Sequence, residues 1–141
     1  MAVSSWHPAP ERGPDVAWQR RRGRYEQTLA EPSGLLFVAE RGGRVVGALI
    51  GEVEDPADGS DTYAVPTSTA HVHDLAVLPE AQGTGIGRAL MERFEQELRD
   101  RGTKSYGLDV MAGNEVAVRF YAALGLELAQ MTMYKVLPSS D

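Results

Sequence analysis

Two histidines spaced i, i+2, His71 and His73, stand just upstream of a glycine-rich run, Gln82-Gly83-Thr84-Gly85-Ile86-Gly87. On a strand that spacing puts both imidazoles on one face unless a bulge intervenes, and such a pair can hold a metal ion. The remaining ligands are not evident, because His7 is the other histidine and the chain has no cysteine. No metal is assigned, and from spacing alone the pair can equally pack or face solvent. Asp74, on the opposite face of a regular strand, and Glu52 and Glu54 at the end of a preceding strand are further groups able to take a proton. The glycine run offers a different chemistry. Glycines let backbone approach a ligand closely, and a helix that follows aims unpaired amides and its positive dipole end at the loop, which suits phosphate.

Elements that could hold these groups are legible around them. Residues 71–77 are a short apolar-rich run punctuated by alternating polar residues, as in a strand, and Pro79 ends the run. Ile86, Leu90, Phe94 and Leu98 then repeat every four residues, the stripe of an amphipathic helix closed by Gly102. Upstream, residues 35–40 and 45–53 are β-rich and joined through Arg41-Gly42-Gly43-Arg44, which predicts an antiparallel hairpin. Asp15 can cap a helix running to about Ala30, with Val16, Ala17, Trp18, Tyr25 and Leu29 able to share a face. Arg20, Arg21, Arg22 and Arg24 lie in that helix, either as a solvated basic face or as contacts to an anion.

Downstream, residues 105–111 predict a strand, and Asn114 can cap a short helix to about Leu124 that Gly125 stops. Residues 127–136 predict a last strand. Residues 1–14 read as an irregular lead-in with room for an edge strand at 3–6, and residues 54–70 as a loop long enough to cover a site. The order helix, β, β, β, helix, β, helix, β, without internal repeat, indicates an α/β or α+β mixed sheet covered by helices.

A chain of 141 residues fits one domain with a core of its own. No apolar run approaches the ~20 residues of a membrane span, and no apolar signal core opens the sequence. With cysteine absent, disulfides and thiolate nucleophiles are excluded and a cytoplasmic setting is expected. The net charge of −6 argues against a nucleic-acid partner and mildly favours cationic substrates.

Glycine loops also serve dinucleotide-binding folds, but there the loop follows the first strand of a βαβ unit, whereas here a hairpin and a third strand precede it. Nor is there a Lys-Ser/Thr pair for a triphosphate loop. Leu75-x-Val77-x-Pro79, then Gln82-x-x-Gly85-x-Gly87 with Arg88-Ala89-Leu90, instead resembles the acyl-CoA-binding signature of the GNAT superfamily of N-acyltransferases. Asn114-x-x-Ala117-x-x-Phe120-Tyr121-x-x-x-Gly125-Leu126 resembles that superfamily's other signature helix. The resemblance implies that amides around Gln82, Gly83, Thr84, Gly85, Ile86, Gly87 and Arg88 hold the CoA pyrophosphate. It implies that Leu75, Ala76 and Val77 line the pantetheine arm, with the Leu75 amide on the thioester carbonyl, polarising it as charge develops. Asn114 would touch pantetheine or pyrophosphate, and Tyr121 would protonate the departing thiolate.

The run from Ala70 to Val77 is similar to the arylalkylamine N-acetyltransferase branch, in which an HxH strand relays the proton from the substrate amine. An alkylamine of pKa about 10 is mostly protonated at neutral pH, while imidazole, with a reference pKa of about 6.5, is mostly neutral and can accept that proton. The fold implied is GNAT-like with a shortened or missing first strand and helix. Residues 15–137 would form a single domain, followed by a short tail at 138–141. The activity implied is transfer of acetyl from acetyl-CoA to a primary amine by direct attack in a ternary complex, with a small amine or polyamine as acceptor. A covalent acyl-enzyme is not expected, since there is no cysteine and no serine in a nucleophile context. The sheet edge left by the shortened start favours a homodimer. The alternative is a non-catalytic acyl-CoA-binding sensor or interaction module.

Overall fold

A computed structural model describes residues 7–54, 63–64 and 68–139. The chain divides into two compact units, Arg20–Asp109 and Met1–Gln19 with Val110–Asp141. The edge strand expected at 3–6 and most of the loop expected at 54–70 lie outside the described residues.

The larger unit takes the second half of α1 (Pro14–Ala30), β1 (Gly34–Arg41), β2 (Arg44–Glu54), β3 (Thr69–Val77), a 3-10 turn at Pro79–Ala81, α2 (Ile86–Arg101) and β4 (Ser105–Leu108). The strands form one sheet in the order β1-β2-β3-β4. The first two pairings are antiparallel and β3–β4 is parallel. Gly42 and Gly43 turn the β1–β2 hairpin with φ of 59° and 77°, the left-handed backbone that a two-residue turn requires.

One sheet face is packed against α2 through the predicted stripe. Phe94, Leu49 and Met91 are fully buried, with Leu35, Val72, Leu90 and Leu98 close behind. Two glycines of β2 let the helix come this near. A Cβ on Gly47 would lie 2.9 Å from Ile86 Cγ2, and one on Gly51 would lie 2.8 Å from the His71 carbonyl and 2.9 Å from Phe94 Cε2. Phe94 meets Phe37 and Tyr106 edge-on, at 6.5 and 5.4 Å between ring centroids. Each fully buried side chain of this kind contributes roughly 1.5–3 kcal/mol, so this layer is where the larger unit's stability resides. Gly102, with φ 76°, then closes α2 by donating to the Arg99 and Leu98 carbonyls.

Helix α1 has no buried residue. Its end is held instead by a tight turn: a Cβ on Gly34 would overlap the Thr28 carbonyl, and Ser33 accepts from the Val53 amide at 2.9 Å.

In the smaller unit, α3 (Glu115–Ala123) starts where expected, the Asn114 side chain accepting from the Ala117 amide at 3.2 Å. Gly125, φ 96°, ends it. The strand expected at 127–136 is absent, and these residues have no regular structure. Their apolar residues suit a strand, but a strand needs a neighbour to pair with, and no described segment does so. Leu128, Met131 and Met133 accordingly stay 70%, 76% and 94% exposed.

Candidate active site

The candidate site is built on β3, whose register against β2 slips by one residue. Ile50 faces Asp74 and Gly51 faces Val72, so His73 is the extra residue of a β-bulge. Directly opposed residues of an antiparallel pair share a face. Glu52 opposes His71, and Ile50, two positions earlier on β2, opposes Asp74. Asp74 therefore lies on the same face as His71, away from α2. This corrects the expectation of a regular strand with Asp74 on the far side, because the additional residue at His73 rotates it round.

That face carries a row of titratable groups. The imidazoles of His71 and His73 lie 5.0 Å apart between centroids. His73 Nε2 is 2.8 Å from Glu52 Oε1, and His71 Nε2 is 3.7 Å from Asp109 Oδ2. Tyr25, reaching down from α1, donates its hydroxyl to Asp74 Oδ2 at 2.8 Å. Burial of the phenol, reinforced by the Asp74 carboxylate beside it, pushes the Tyr25 pKa well above the usual tyrosine value. Tyr25 thus stays a hydrogen-bond donor throughout the neutral range. A cavity of about 220 Å³ opens here, lined by Arg24, Tyr25, Gln27, Thr28 and His73.

Below the bulge β3 and β4 part. Their ladder covers only Thr69–Val72 against Ser105–Leu108. From His73 to Val77 the β4 side of β3 has no partner strand among the described residues. The backbone along Leu75, Ala76 and Val77 is thus open to an extended ligand that pairs as a strand would.

The same strand leads into the glycine loop. Gly83 and Gly85 have φ of 78° and 85°, and Gly85 is the N-cap of α2 with no side chain capping the helix. A Cβ on either would meet nothing within 4 Å, so the loop presents its backbone to open space. The first-turn amides of Ile86, Gly87 and Arg88 follow. Left-handed glycines opening on an uncapped helix start fit the pyrophosphate of CoA, which needs N–H donors and positive potential. Side chains brace the cradle: Gln82 Nε2 donates to the Val77 carbonyl at 3.1 Å, Thr84 Oγ1 to the Ala81 carbonyl, and Arg41 Nη2 to Thr84 Oγ1 at 3.1 Å.

The larger unit thus brings together His71, His73, Leu75, Ala76, Val77 and the run from Gln82 to Arg88. Asn114 and Tyr121 belong to the smaller unit. There Asn114 caps α3, and Tyr121 stacks edge-on with Phe120 at 5.1 Å while its carbonyl accepts from Leu124 and Leu126. Sequence reasoning did not single out the Tyr25 hydroxyl, Asp109 or the bracing role of Arg41, since each acts on a residue distant in the chain.

Residues 2–126 match the model of the acetyltransferase (GNAT) family. The chain belongs to this family, a class of enzymes that take acyl groups from acyl-CoA. It is 36% identical over 116 residues to the mycothiol acetyltransferase of Thermobispora bispora, covering 82% of this chain and 37% of that protein. The chain thus spans well under half the length of this curated relative. Among solved structures, the aminoglycoside 6′-N-acetyltransferase AAC(6′)-IG of Acinetobacter haemolyticus superposes with a TM-score of 0.70 at 15% identity, over 86% of this chain and 82% of that one. Aminoglycoside N-acetyltransferase AAC(6′)-Iy, solved with CoA, gives 0.68 at 17% identity, over 88% and 90%. At these identities the structural likeness establishes the fold. No helix among the described residues is long and apolar enough to cross a membrane.

Proposed function

We propose that the chain transfers an acetyl group from acetyl-CoA to a small primary amine by direct attack in a ternary complex. The observation that carries this is the histidine pair at the β3 bulge, with His73 bonded to Glu52, on the strand whose open edge leads into the glycine loop. Acetyl-CoA, when bound, supplies a thioester carbonyl open to nucleophilic attack. Amides from Gln82 to Arg88 hold the pyrophosphate, the open edge of β3 orients the pantetheine arm, and the Leu75 amide donates to the thioester oxygen. With Nε2–H donated to Glu52, the His73 Nδ1 lone pair is left to take the amine proton. His71 passes it towards Asp109, which is 99% exposed. Tyr121 protonates the departing thiolate, and Asn114 contacts the CoA; both assignments rest on the signature helix.

The family match over residues 2–126 supports a catalytic domain that takes in most of the expected 15–137, and it extends into the stretch expected to be a lead-in. The lack of cysteine supports a cytoplasmic setting, and the exposed Leu36 and Val38 on edge strand β1 support a homodimer. The mycothiol and aminoglycoside acetyltransferases support a small amine as acceptor.

A thiol-release assay over an amine panel, paired with calorimetry on acetyl-CoA, tests the reaction. Release with at least one amine is expected; tight binding with no release from any amine identifies a sensor module instead. Replacing His71 and His73 by Ala should shift the acid limb of the pH–rate profile, and an unaltered limb transfers the base role to Asp74 or water. Tyr121→Phe should lower kcat with little change in acetyl-CoA affinity; unchanged turnover removes Tyr121 from the mechanism.

A further inference from the structure

The arginines of α1 are not used by the reaction as derived so far. Arg22 is neutralised by Glu26 at 2.8 Å, one turn along the helix. Arg24 has no carboxylate partner among the described residues, although the chain carries a net charge of −6. It stands instead at the cavity that His73 lines from the β3 side, with Gln27 and Thr28 beside it on the helix. The groups around this cavity are sorted by sign. Glu52 and Asp74 stand on the sheet, the first bonded to His73 and the second to Tyr25. The guanidinium groups of Arg24 and Arg21 come from the helix, close enough for both to be felt at Tyr25. A cavity polarised in this way favours a ligand that is itself dipolar, its cationic end towards the carboxylates and its anionic end towards the arginine. A second ammonium in the same place would meet Arg24 as a like charge.

We propose that this cavity seats the acceptor and that the acceptor is a small primary amine bearing an anionic group, a carboxylate in the simplest case, which Arg24 reads while the amine faces His73. This rests on the acetyl-transfer reading and narrows it, setting aside the polyamine that net charge alone favours. At about 220 Å³ the cavity is smaller than the ~300–1,000 Å³ of drug-sized pockets and matches an acceptor of amino-acid size. Arg24 offers a planar fork of donors that matches a carboxylate, and Gln27 and Thr28 offer further donors on the same helix. The Tyr25–Asp74 bond ties that helix to β3 and so fixes the distance between the two ends of the cavity.

The test uses the full-length protein with acetyl-CoA and matched acceptors: amino acids, the same compounds as carboxamides, and linear diamines of similar length. For the wild type, kcat/KM for the carboxylate should exceed that for its carboxamide by about fivefold or more, the scale of a partly exposed charged hydrogen bond. Arg24→Gln should abolish that difference mainly through KM, Arg24→Lys should restore part of it, and Arg24→Glu should turn the preference towards diamines. Turnover of carboxylate and carboxamide with equal efficiency overturns the proposal while leaving acetyl transfer standing. So does an Arg24→Gln variant that loses both acceptors equally. Release of no thiol with any amine overturns the acetyl-transfer reading and this proposal with it. Arg24 is exposed, so its variants should keep the wild-type melting temperature, and that measurement accompanies each assay.

Discussion

The two faces of the sheet divide the work. On the α2 face the sequence places Leu35, Leu49, Val72 and two glycines, and the helix settles on them so closely that Phe94 and Leu49 lose all contact with water. On the other face it places Glu52, His71, His73 and Asp74, and α1 reaches this face through Tyr25 on Asp74 and across the cavity that His73 lines, without burying a single one of its own residues. Strand β3 belongs to both faces: Ala70 and Val72 are buried on one side while His71 is half-exposed on the other. Solvated, titratable groups are thus kept on one face of the sheet and the apolar packing that fixes their position on the other. Charged groups in the α2 layer would face a desolvation cost that the α1 layer does not impose.

Substitutions that strike only one face test this division. Phe94→Ala should have the largest effect, a loss of about 3–5 kcal/mol in equilibrium denaturation, because the cavity left between β2 and α2 has little room to collapse. A loss under about 1 kcal/mol would mean that stability does not reside in that layer. The His71→Ala, His73→Ala double variant should lower kcat by about a hundredfold, near 2.7 kcal/mol of barrier, with its melting temperature unchanged. If it unfolds instead, the histidine face is also structural. Gly34→Ala should cost about 2 kcal/mol and raise the acceptor KM, since its Cβ must push aside the turn that carries Thr28 into the cavity wall.

Tyr25→Phe should have the smallest effect, at most about 1 kcal/mol near neutral pH. Its signature is in the pH dependence. The folded-state pKa of Tyr25 is raised, so its contribution is complete below the unfolded value of about 10 and is lost as pH rises through the folded one. Denaturation followed from pH 8 upwards should therefore show a shallower alkaline loss in Tyr25→Phe than in wild type, and identical slopes would remove the Tyr25–Asp74 bond as the cause.

Features written in neighbouring residues were legible in the sequence. The Gly42-Gly43 hairpin, the Asn114 cap, the closures at Gly102 and Gly125 and the Ile86-Leu90-Phe94-Leu98 stripe each depend on side chains within a few positions. The His71, His73 pair and the glycine loop are legible as local patterns for the same reason. Features that depend on partners far along the chain were hidden. The bulge at His73 is a feature of how β3 pairs with β2, some twenty residues away in the chain, and no residue of β3 announces it. Tyr25 and Asp74 are separated by 49 positions. At 127–136 the local sequence suits a strand, but local sequence reports what a segment could pair with and not whether a neighbour is there.

The parting of β3 and β4 also sets a clock. Along one strand, beyond Val72, amides directed at β2 are tied into the ladder while those directed the other way face no strand among the described residues, so hydrogen exchange should alternate slow and fast from residue to residue. An extended ligand lying along that edge would quench the fast amides and leave the slow ones as they were. The rhythm of exchange along β3 then reads out, one amide at a time, how far down the strand the ligand reaches and for how long it stays.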